Sequence, residues 1–393
     1  MNPSILNRLQ RIRGMGGAAL FAVMVLTAAL LPAASGPAPK VEIARITGQK
    51  IWDLSRISDR PVARMELTDL IRFKGNWYCG FHEGEIHGNH PSGRARIIRS
   101  ADGEKWETVA LLTWDSGDVR EPRFSITAEG QLMVNTSVCF VLKNPVPGGS
   151  LYPIPRSVPG GPPPAVAGDS DLEAGVSRQS VTWLSANGTN WSSGYACPTG
   201  VNTWRWDVTW HNGMGYSVGY SGKDDKGTLY RTRDGKSWRT LRGNFFPDAL
   251  GNEASIAFGD DHTAYCLLRG NPNSKMLGVS KGPYYQEWTW QDTRVDWDGS
   301  GNLRPSKDVV RSLGGPKIIR LSDGRLLGTG RSSGIALFWI DPATTILTRF
   351  ATVVGTTYAG IVEHEGAIWV TCGDSSAAGI YLTKVKIPPT SGK

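Results

Sequence analysis

Charged and aromatic side chains recur around the starts of short apolar runs in this 393-residue chain. Asp69, His82, Glu83, Glu85 and His87 go with the first run, and Asp118, Arg120, Glu121 and Arg123 with the second. Trp204, Arg205, Trp206 and Asp207 go with the third, and Asn252, Glu253, Arg269, Lys317, Arg331 and Tyr358 with later ones. Carboxylates, arginines, a tyrosine and tryptophans suit carbohydrate. Aromatic faces stack on sugar rings, and guanidinium forks fix hydroxyls or carboxylates. Such a set describes recognition of a glycan and does not by itself specify a reaction.

The elements that must bring these residues together are short and repeated. Ser100-Ala-Asp102-Gly103-Glu-Lys-Trp106, Ser185-Ala-Asn187-Gly188-Thr-Asn-Trp191 and Thr232-Arg-Asp234-Gly235-Lys-Ser-Trp238 are one phrase with variations. It reads as an Asx-stabilised turn with a positive-φ glycine and a tryptophan anchor. Asp102, Asn187 and Asp234 are structural in this reading, because Asn serves as well as Asp where only an acceptor is needed. Trp191 and Trp238 lie about 47 residues apart, and removing a Pro/Gly-rich insertion at about 144–177 brings the Trp106 to Trp191 interval to a similar value. That period is the length of a four-stranded propeller blade.

Six units of apolar run, glycine turn and apolar run begin near Thr68, Pro122, Trp206, Asn252, Gly315 and Tyr358. The sixth is short, and an extended stretch around Val41 to Leu54 is available to complete it and remove a free edge. The chain therefore reads as all-β, a single six-bladed β-propeller over 41–388 with terminal-strand closure. In such a ring the starts of the innermost strands converge at one mouth, so residues far apart in sequence can meet there.

Arg8, Arg11 and Arg13 precede an apolar run and a small-residue stretch ending near Gly36, the layout of a secretory signal over 1–35 or, with its rather long apolar run, of a membrane anchor. Either predicts an exported protein, periplasmic, cell-surface or extracellular. The formal charge of +8 falls by three without those arginines, and the rest is scattered, with no nucleic-acid module. A glycan is the expected partner, nucleic acid is not, and the ring is expected to act as a monomer. Of five cysteines, Cys79, Cys139, Cys266 and Cys372 sit inside apolar runs and read as small buried hydrophobes, and no metal-ligand spacing emerges.

The three turn phrases, Asn252-Glu253-Ala-Ser-Ile with the later Leu268-Arg269, Gly314-Gly315-Pro316 with Arg331, and Thr357-Tyr358-Ala-Gly together resemble the bacterial sialidase superfamily. The phrases TWRWDVTWH and PYYQEWTWQD are similar to those of exported sialidase-like six-bladed propellers, and the likeness runs from about Thr68 to Val385. The resemblance implies a retaining glycosidase with a tyrosine nucleophile. It implies that Tyr358 is that nucleophile, Glu253 the base that removes its proton, and Arg269 and Arg331 ligands of a substrate carboxylate. It requires no cofactor and no metal.

Two positions depart from the family's pattern. Its first arginine is absent, the chain reading Glu66-Leu-Thr-Asp69-Leu there, and the loop that should present an acidic Asp reads His82-Glu83-Gly84-Glu85-Ile-His87. The proton donor would then be Glu85, His87 or Glu83. Arg120, Arg123, His82, Asp69, Trp204, Trp206, Asp207 and Lys317 complete the expected substrate-binding set. Bland alternatives stand beside these roles: a tyrosine opening a strand can pack on the next blade, and arginines at strand starts often make interblade ion pairs. Two other functions remain open. A non-catalytic glycan-binding propeller would show aromatic platforms without an acid and base pair. A lyase acting on uronate-containing glycans would place His87 or His211 beside a uronate-neutralising arginine.

Overall fold

The computed structural model describes residues 43–59, 61–85, 93–115, 117–140, 178–221, 226–247, 251–269, 275–299, 313–332, 334–374 and 378–388. The leader, His87 and the Pro/Gly-rich insertion lie outside the described residues. Strands dominate the described chain, with one 3₁₀ turn at Leu54–Arg56.

The apolar runs joined by glycine turns fold into antiparallel hairpins. Lys74-Gly75, Asn212-Gly213 and Glu365-Gly366 each have two consecutive positive φ values, the two-residue turn whose twist matches that of its strands. Blade 1 holds Arg64–Phe73, Asn76–Gly84, Arg94–Ser100 and Glu107–Leu112, and blade 2 holds Gly117–Ile126, Leu132–Phe140, Arg178–Ser185 and Tyr195–Val201. Blade 3 holds Trp204–His211, Met214–Tyr220, Thr228–Thr232 and Arg239–Gly243, and blade 4 Ala254–Phe258, Ala264–Leu268, Leu277–Ser280 and Thr289–Gln291. Blade 5 holds Gly314–Arg320, Leu326–Arg331, Ile335–Asp341 and Ile346–Val353. In blade 6, Ala359–His364, Ala367–Asp374 and Gly379–Lys386 are joined by Gln49–Asp53, which pairs antiparallel with Gly379–Lys386. Just before it, Ala44–Ile46 pairs in parallel with Ile346–Val353 of blade 5, so one N-terminal segment stitches two blades. The fold is a six-bladed β-propeller closed by a terminal strand.

A separate apolar cluster fills each interface between neighbouring blades. Trp77 of blade 1 stacks on Trp369 of blade 6 with centroids 4.1 Å apart, in the cluster where the ring closes. All five cysteines are free and buried, and burial pushes the Cys139 thiol up to about 11.

The turn phrases behave as structural units. Ser100 Oγ accepts the Gly103 amide at 2.8 Å, Asp102 Oδ1 accepts those of Glu104 and Lys105 at 2.8 and 2.9 Å, and Trp106 Nε1 donates to Gly103 O at 3.1 Å. Asn187 and Asp234 take the same two-amide pattern. The amides hold the exposed Asp102 carboxyl down to about 2.

One feature of the inner strands departs from the simple run-and-turn reading. Pairing of the first strand with the second shifts register between Glu66 and Asp69, Arg120 and Arg123, Arg205 and Val208, and Gly314 and Lys317. Blades 1, 2, 3 and 5 are therefore bulged at corresponding places. Leu67, Glu121 and Gly315 in these bulges have φ of 61, 41 and 59°. A bulge bends its strand and re-aims its side chains, and here the bulges ring one end of the propeller.

Candidate active site

Leu67, Trp206 and Tyr358, from three blades, form a small buried cluster at that end, with Trp204 and Tyr220 packed against it. Trp206 meets Tyr358 edge to face at 5.6 Å, and Trp204 stacks on Tyr220. Tyr358 is held by its backbone as well: Thr68 donates to Tyr358 O from both its amide and its hydroxyl, at 3.2 and 3.1 Å.

Glu253 and Arg269 arrive on adjacent strands of blade 4. The ladder of Ala254 opposite Leu268 extends outward, Arg269 N donating to Glu253 O at 2.8 Å, so the two side chains emerge together. The Tyr358 hydroxyl donates to Glu253 Oε1 at 2.8 Å, and Arg269 Nη1 lies 2.8 Å from each of those oxygens. The other carboxylate oxygen, Oε2, accepts the Gly315 amide at 2.7 Å. Gly315 is required twice over. Its φ is positive, and a Cβ there would stand 2.3 Å from Tyr358 Cγ, so only glycine lets the ring lie against the bulge while the amide reaches Glu253.

Burial first, then the carboxylates of Glu253 and Glu121, hold the Tyr358 phenol far above its ordinary range, with Arg269 opposing them. The resting phenol is neutral. Glu121, on its bulge between Arg120 and Arg123, is buried and has no hydrogen-bond partner for Oε2. Desolvation, reinforced by Glu253 and opposed by Arg120 and Arg123, pushes its carboxyl up to about 8, which favours the protonated form. The Tyr220 phenol is raised by burial and by the same two carboxyls. Arg331 lies exposed at the edge, its guanidinium carbon 5.3 Å from the Tyr358 ring centre, and the Arg269 side chain is 28% exposed.

The other residues singled out from the sequence have different surroundings. Asp69 accepts from Lys317 Nζ at 2.6 Å and from the Phe124 amide at 2.8 Å. Asp207 accepts from Ser255 Oγ at 2.7 Å and lies 3.9 Å from Lys317. These three charges are buried against one another, and with the Phe124 amide and the Ser255 hydroxyl they tie five blades together. Glu83 is fully buried between Arg94 and Arg96, with Arg96 Nε at 2.6 Å. His82 Nε2 contacts Asp118 Oδ1 at 2.8 Å with both side chains fully buried, and Arg120 stands 3.4 Å from the other Asp118 oxygen.

Arg123 is buried over the Trp206 ring at 4.4 Å, so that ring has Tyr358 on one side and a guanidinium on another. Arg205 is buried over the Trp238 ring, 4.9 Å from its centre. Trp204 is half-buried, with Tyr220 stacked on it and Arg178 over its ring at 5.5 Å. Glu85 is half-buried at the end of a described segment, and His87 is outside the described residues. His211 is at the opposite end of its strand from Trp204, bonded to His262 at 3.0 Å. Among the described residues no group of three or more His, Cys, Asp or Glu side chains could hold a metal ion.

Tyr358, Glu253 and Arg269 thus converge, with Arg331 above and Glu121 nearby. Sequence reasoning passed over Leu67 and Tyr220 and could not foresee how Glu121 would be presented. The Glu121-Pro122 pair was a usable signal, since proline inside a strand run marks a bulge or an edge.

Solved structures share this fold. A protein of unknown function from Dyadobacter fermentans superposes with a TM-score of 0.60 at 14% identity, covering 90% of this chain and 100% of that one. A mutant sialidase of Trypanosoma rangeli that displays trans-sialidase activity gives 0.56 at 11% identity, covering 88% of this chain and 58% of that one. The NanB sialidase of Streptococcus pneumoniae gives 0.56 at 11% identity, covering 86% and 70%. The fold is that of a sialidase-like propeller. No family model matches the sequence, and no curated protein matches it. This sialidase-like propeller spans little more than half of the trypanosomal sialidase.

Proposed function

We propose that this protein is an exported glycoside hydrolase of sialidase type, removing a terminal acidic sugar from a glycan with Tyr358 as nucleophile. The observation that carries the reading is the closed contact of the Tyr358 hydroxyl, Glu253 Oε1 and Arg269 Nη1, all within 2.8 Å, with the Gly315 amide fixing the far carboxylate oxygen. A neutral phenol is a weak nucleophile and needs a base at hydrogen-bond distance. Glu253 is at that distance.

In the proposed first step the Tyr358 oxygen bonds to the anomeric carbon while its proton passes to Glu253 Oε1. The glycosidic bond breaks with its electron pair on the leaving oxygen, which takes a proton from an acid at the rim. Water, giving a proton to the deprotonated rim acid, then bonds to the anomeric carbon as the bond from that carbon to the Tyr358 oxygen breaks, and the phenol oxygen takes its proton back from Glu253. Glu83, locked between two arginines, is unsuited to the acid role, which leaves Glu85 and His87. Two features suit an acidic sugar: Arg269 and Arg331 border the tyrosine, and burial shifts the neighbouring Glu121 carboxyl toward its neutral form, which lessens the negative charge beside Glu253. The arginine-rich, apolar N-terminal stretch supports export.

The test is product release from a mixed panel of sialosides, uronate-containing glycans and neutral oligosaccharides, followed by mass spectrometry, with Tyr358→Phe and Glu253→Gln in parallel. The reading expects an acidic monosaccharide from wild type and at least about a hundredfold slower release from Tyr358→Phe. Release untouched by Tyr358→Phe would overturn it, and a product lighter by one water would indicate a lyase.

A further inference from the structure

Blades 1 and 3 carry equivalent trios on their outer strands. In blade 1, Tyr78 is paired with Arg99 and Arg99 with Glu107, on the strands flanking the Ser100–Trp106 turn. In blade 3, Tyr216 is paired with Arg231 and Arg231 with Arg239, flanking the Thr232–Trp238 turn. The register is the same, but the carboxylate has become a second guanidinium. Residues directly opposite across a ladder share a face, and like charges there repel.

The two places are covered differently. In blade 1, Arg99 is ion-paired with Glu107, and the turn of blade 2 settles on the trio. Arg99 Nη1 reaches Thr189 Oγ1 at 3.4 Å, Lys74 Nζ reaches Ala186 O at 2.8 Å, and a Cβ on Gly188 would stand 2.2 Å from the Tyr78 hydroxyl. Blade 4 has Ser280-Lys-Gly-Pro-Tyr284-Tyr285 where the Asx turn would be, and among the described residues no hydrogen bond or ion pair joins it to the side chains of Arg231 and Arg239. A cavity of about 1150 Å³ opens between the blades there, lined by Arg231, Arg233, Arg239, Tyr216, His262 and Tyr284.

Arg231, Arg233 and Arg239 are exposed and bond to no carboxylate of the described residues. The acids at the border are already engaged: Asp234 accepts two turn amides, and Asp261 binds Thr263 and Lys281. Tyr284 is 74% exposed and offers an open ring face. The cavity lies at the end of blade 3 away from Tyr358, since Trp206 packs on Tyr358 whereas His211, five residues along the same strand and roughly 17 Å away, lines the cavity.

We propose that this cavity is a second binding site, which takes an anionic glycan chain by clamping a carboxylate or sulfate between Arg231 and Arg239 and laying a sugar ring on Tyr284. Paired guanidiniums that no carboxylate of the described residues bonds are relieved by an anion that both can grip. The volume admits more than one sugar ring. Cations confined to one cavity, rather than spread in a stripe that tracks successive phosphates, favour a glycan over nucleic acid. The inference is independent of catalysis at Tyr358.

The test uses the full chain carrying Glu253→Gln, titrated calorimetrically with an oligogalacturonate hexamer, a heparin-derived hexasaccharide, maltohexaose and a single-stranded oligonucleotide. At least one anionic hexasaccharide is expected to bind, weakening as salt rises, while maltohexaose does not. Arg239→Glu is expected to lower that affinity at least tenfold without lowering the melting temperature, because it restores the arrangement of blade 1. Adding Tyr358→Phe is expected to change the affinity less than twofold. The proposal is overturned if neither anionic sugar binds, if Arg239→Glu leaves binding unchanged, if Tyr358→Phe abolishes it, or if the oligonucleotide binds more tightly than either sugar.

Discussion

The two ends of this propeller treat charge in opposite ways. Around Tyr358 buried charges are matched, between blades in the pair of Lys317 with Asp69 and within one blade in those of Arg269 with Glu253 and of Arg94 and Arg96 with Glu83. Between blades 3 and 4 at the other end, Arg231 faces Arg239 in the open. Burial accounts for the contrast. A charge taken out of water must be paired and hydrogen-bonded, whereas a solvated arginine can wait for a ligand. The buried end is therefore fixed in the free protein, and at the open end the two guanidiniums are left to solvent, which is what the proposed anionic ligand would change.

Lys317→Met tests the matched end most severely. It leaves Asp69 buried without its cation, and we expect about 3–5 kcal/mol of lost stability by denaturant titration. A loss below about 1 kcal/mol would show that the Asp69, Lys317 and Asp207 network does not tie the blades.

Glu121 sharpens the same point through pH. Its folded pKa is raised to about 8 from an ordinary carboxyl value, so the folded state holds a proton that the unfolded state releases. That stability is fully present below about pH 4.5 and is lost as pH rises toward 8, on the order of a few kcal/mol. Glu121→Gln should flatten this part of the stability profile. An unchanged slope would mean that Glu121 is ionised in its bulge.

Gly315→Ala puts a methyl group into the Tyr358 ring and an unfavourable φ on the backbone. We expect roughly 1–3 kcal/mol of destabilisation, together with loss of any activity that depends on Tyr358 and Glu253. Full activity would show that the bulge amide does not position the carboxylate.

Arg239→Glu is the smallest expected effect, a gain of about 0.2–1 kcal/mol as a repelling cross-strand pair becomes an attractive one. A destabilised variant would mean that Arg239 already has a structural use in the free protein.

Much of the fold could be read in the chain because its signals are local. The turn phrases, the glycine hairpins and the alternating runs each specify their own few residues, and their spacing gave a six-bladed ring with a terminal strand to close it. Part of the site was equally accessible. Glu253 and Arg269 flank one hairpin, so their meeting follows from the pairing of Ala254 with Leu268. The place of Tyr358 beside them was implied by the resemblance and is shown by the 2.8 Å contact. Asp69, Asp207 and Lys317 looked like ligands for a substrate because charged residues at inner-strand starts read alike, whether they face a cleft or one another.

The sequence by itself determined the local grammar: which segments are strands, where they turn, and which side chains stand near the inner ends. Only the tertiary structure decided which of those charges are paired within the protein and which stay exposed. Lys317 meets Asp69 across 248 positions and Glu253 meets Tyr358 across 105, and such contacts exist only when the ring closes. The bulges at Leu67, Glu121 and Gly315 turn side chains by a single residue of register, and a pattern of alternating polarity does not encode that shift.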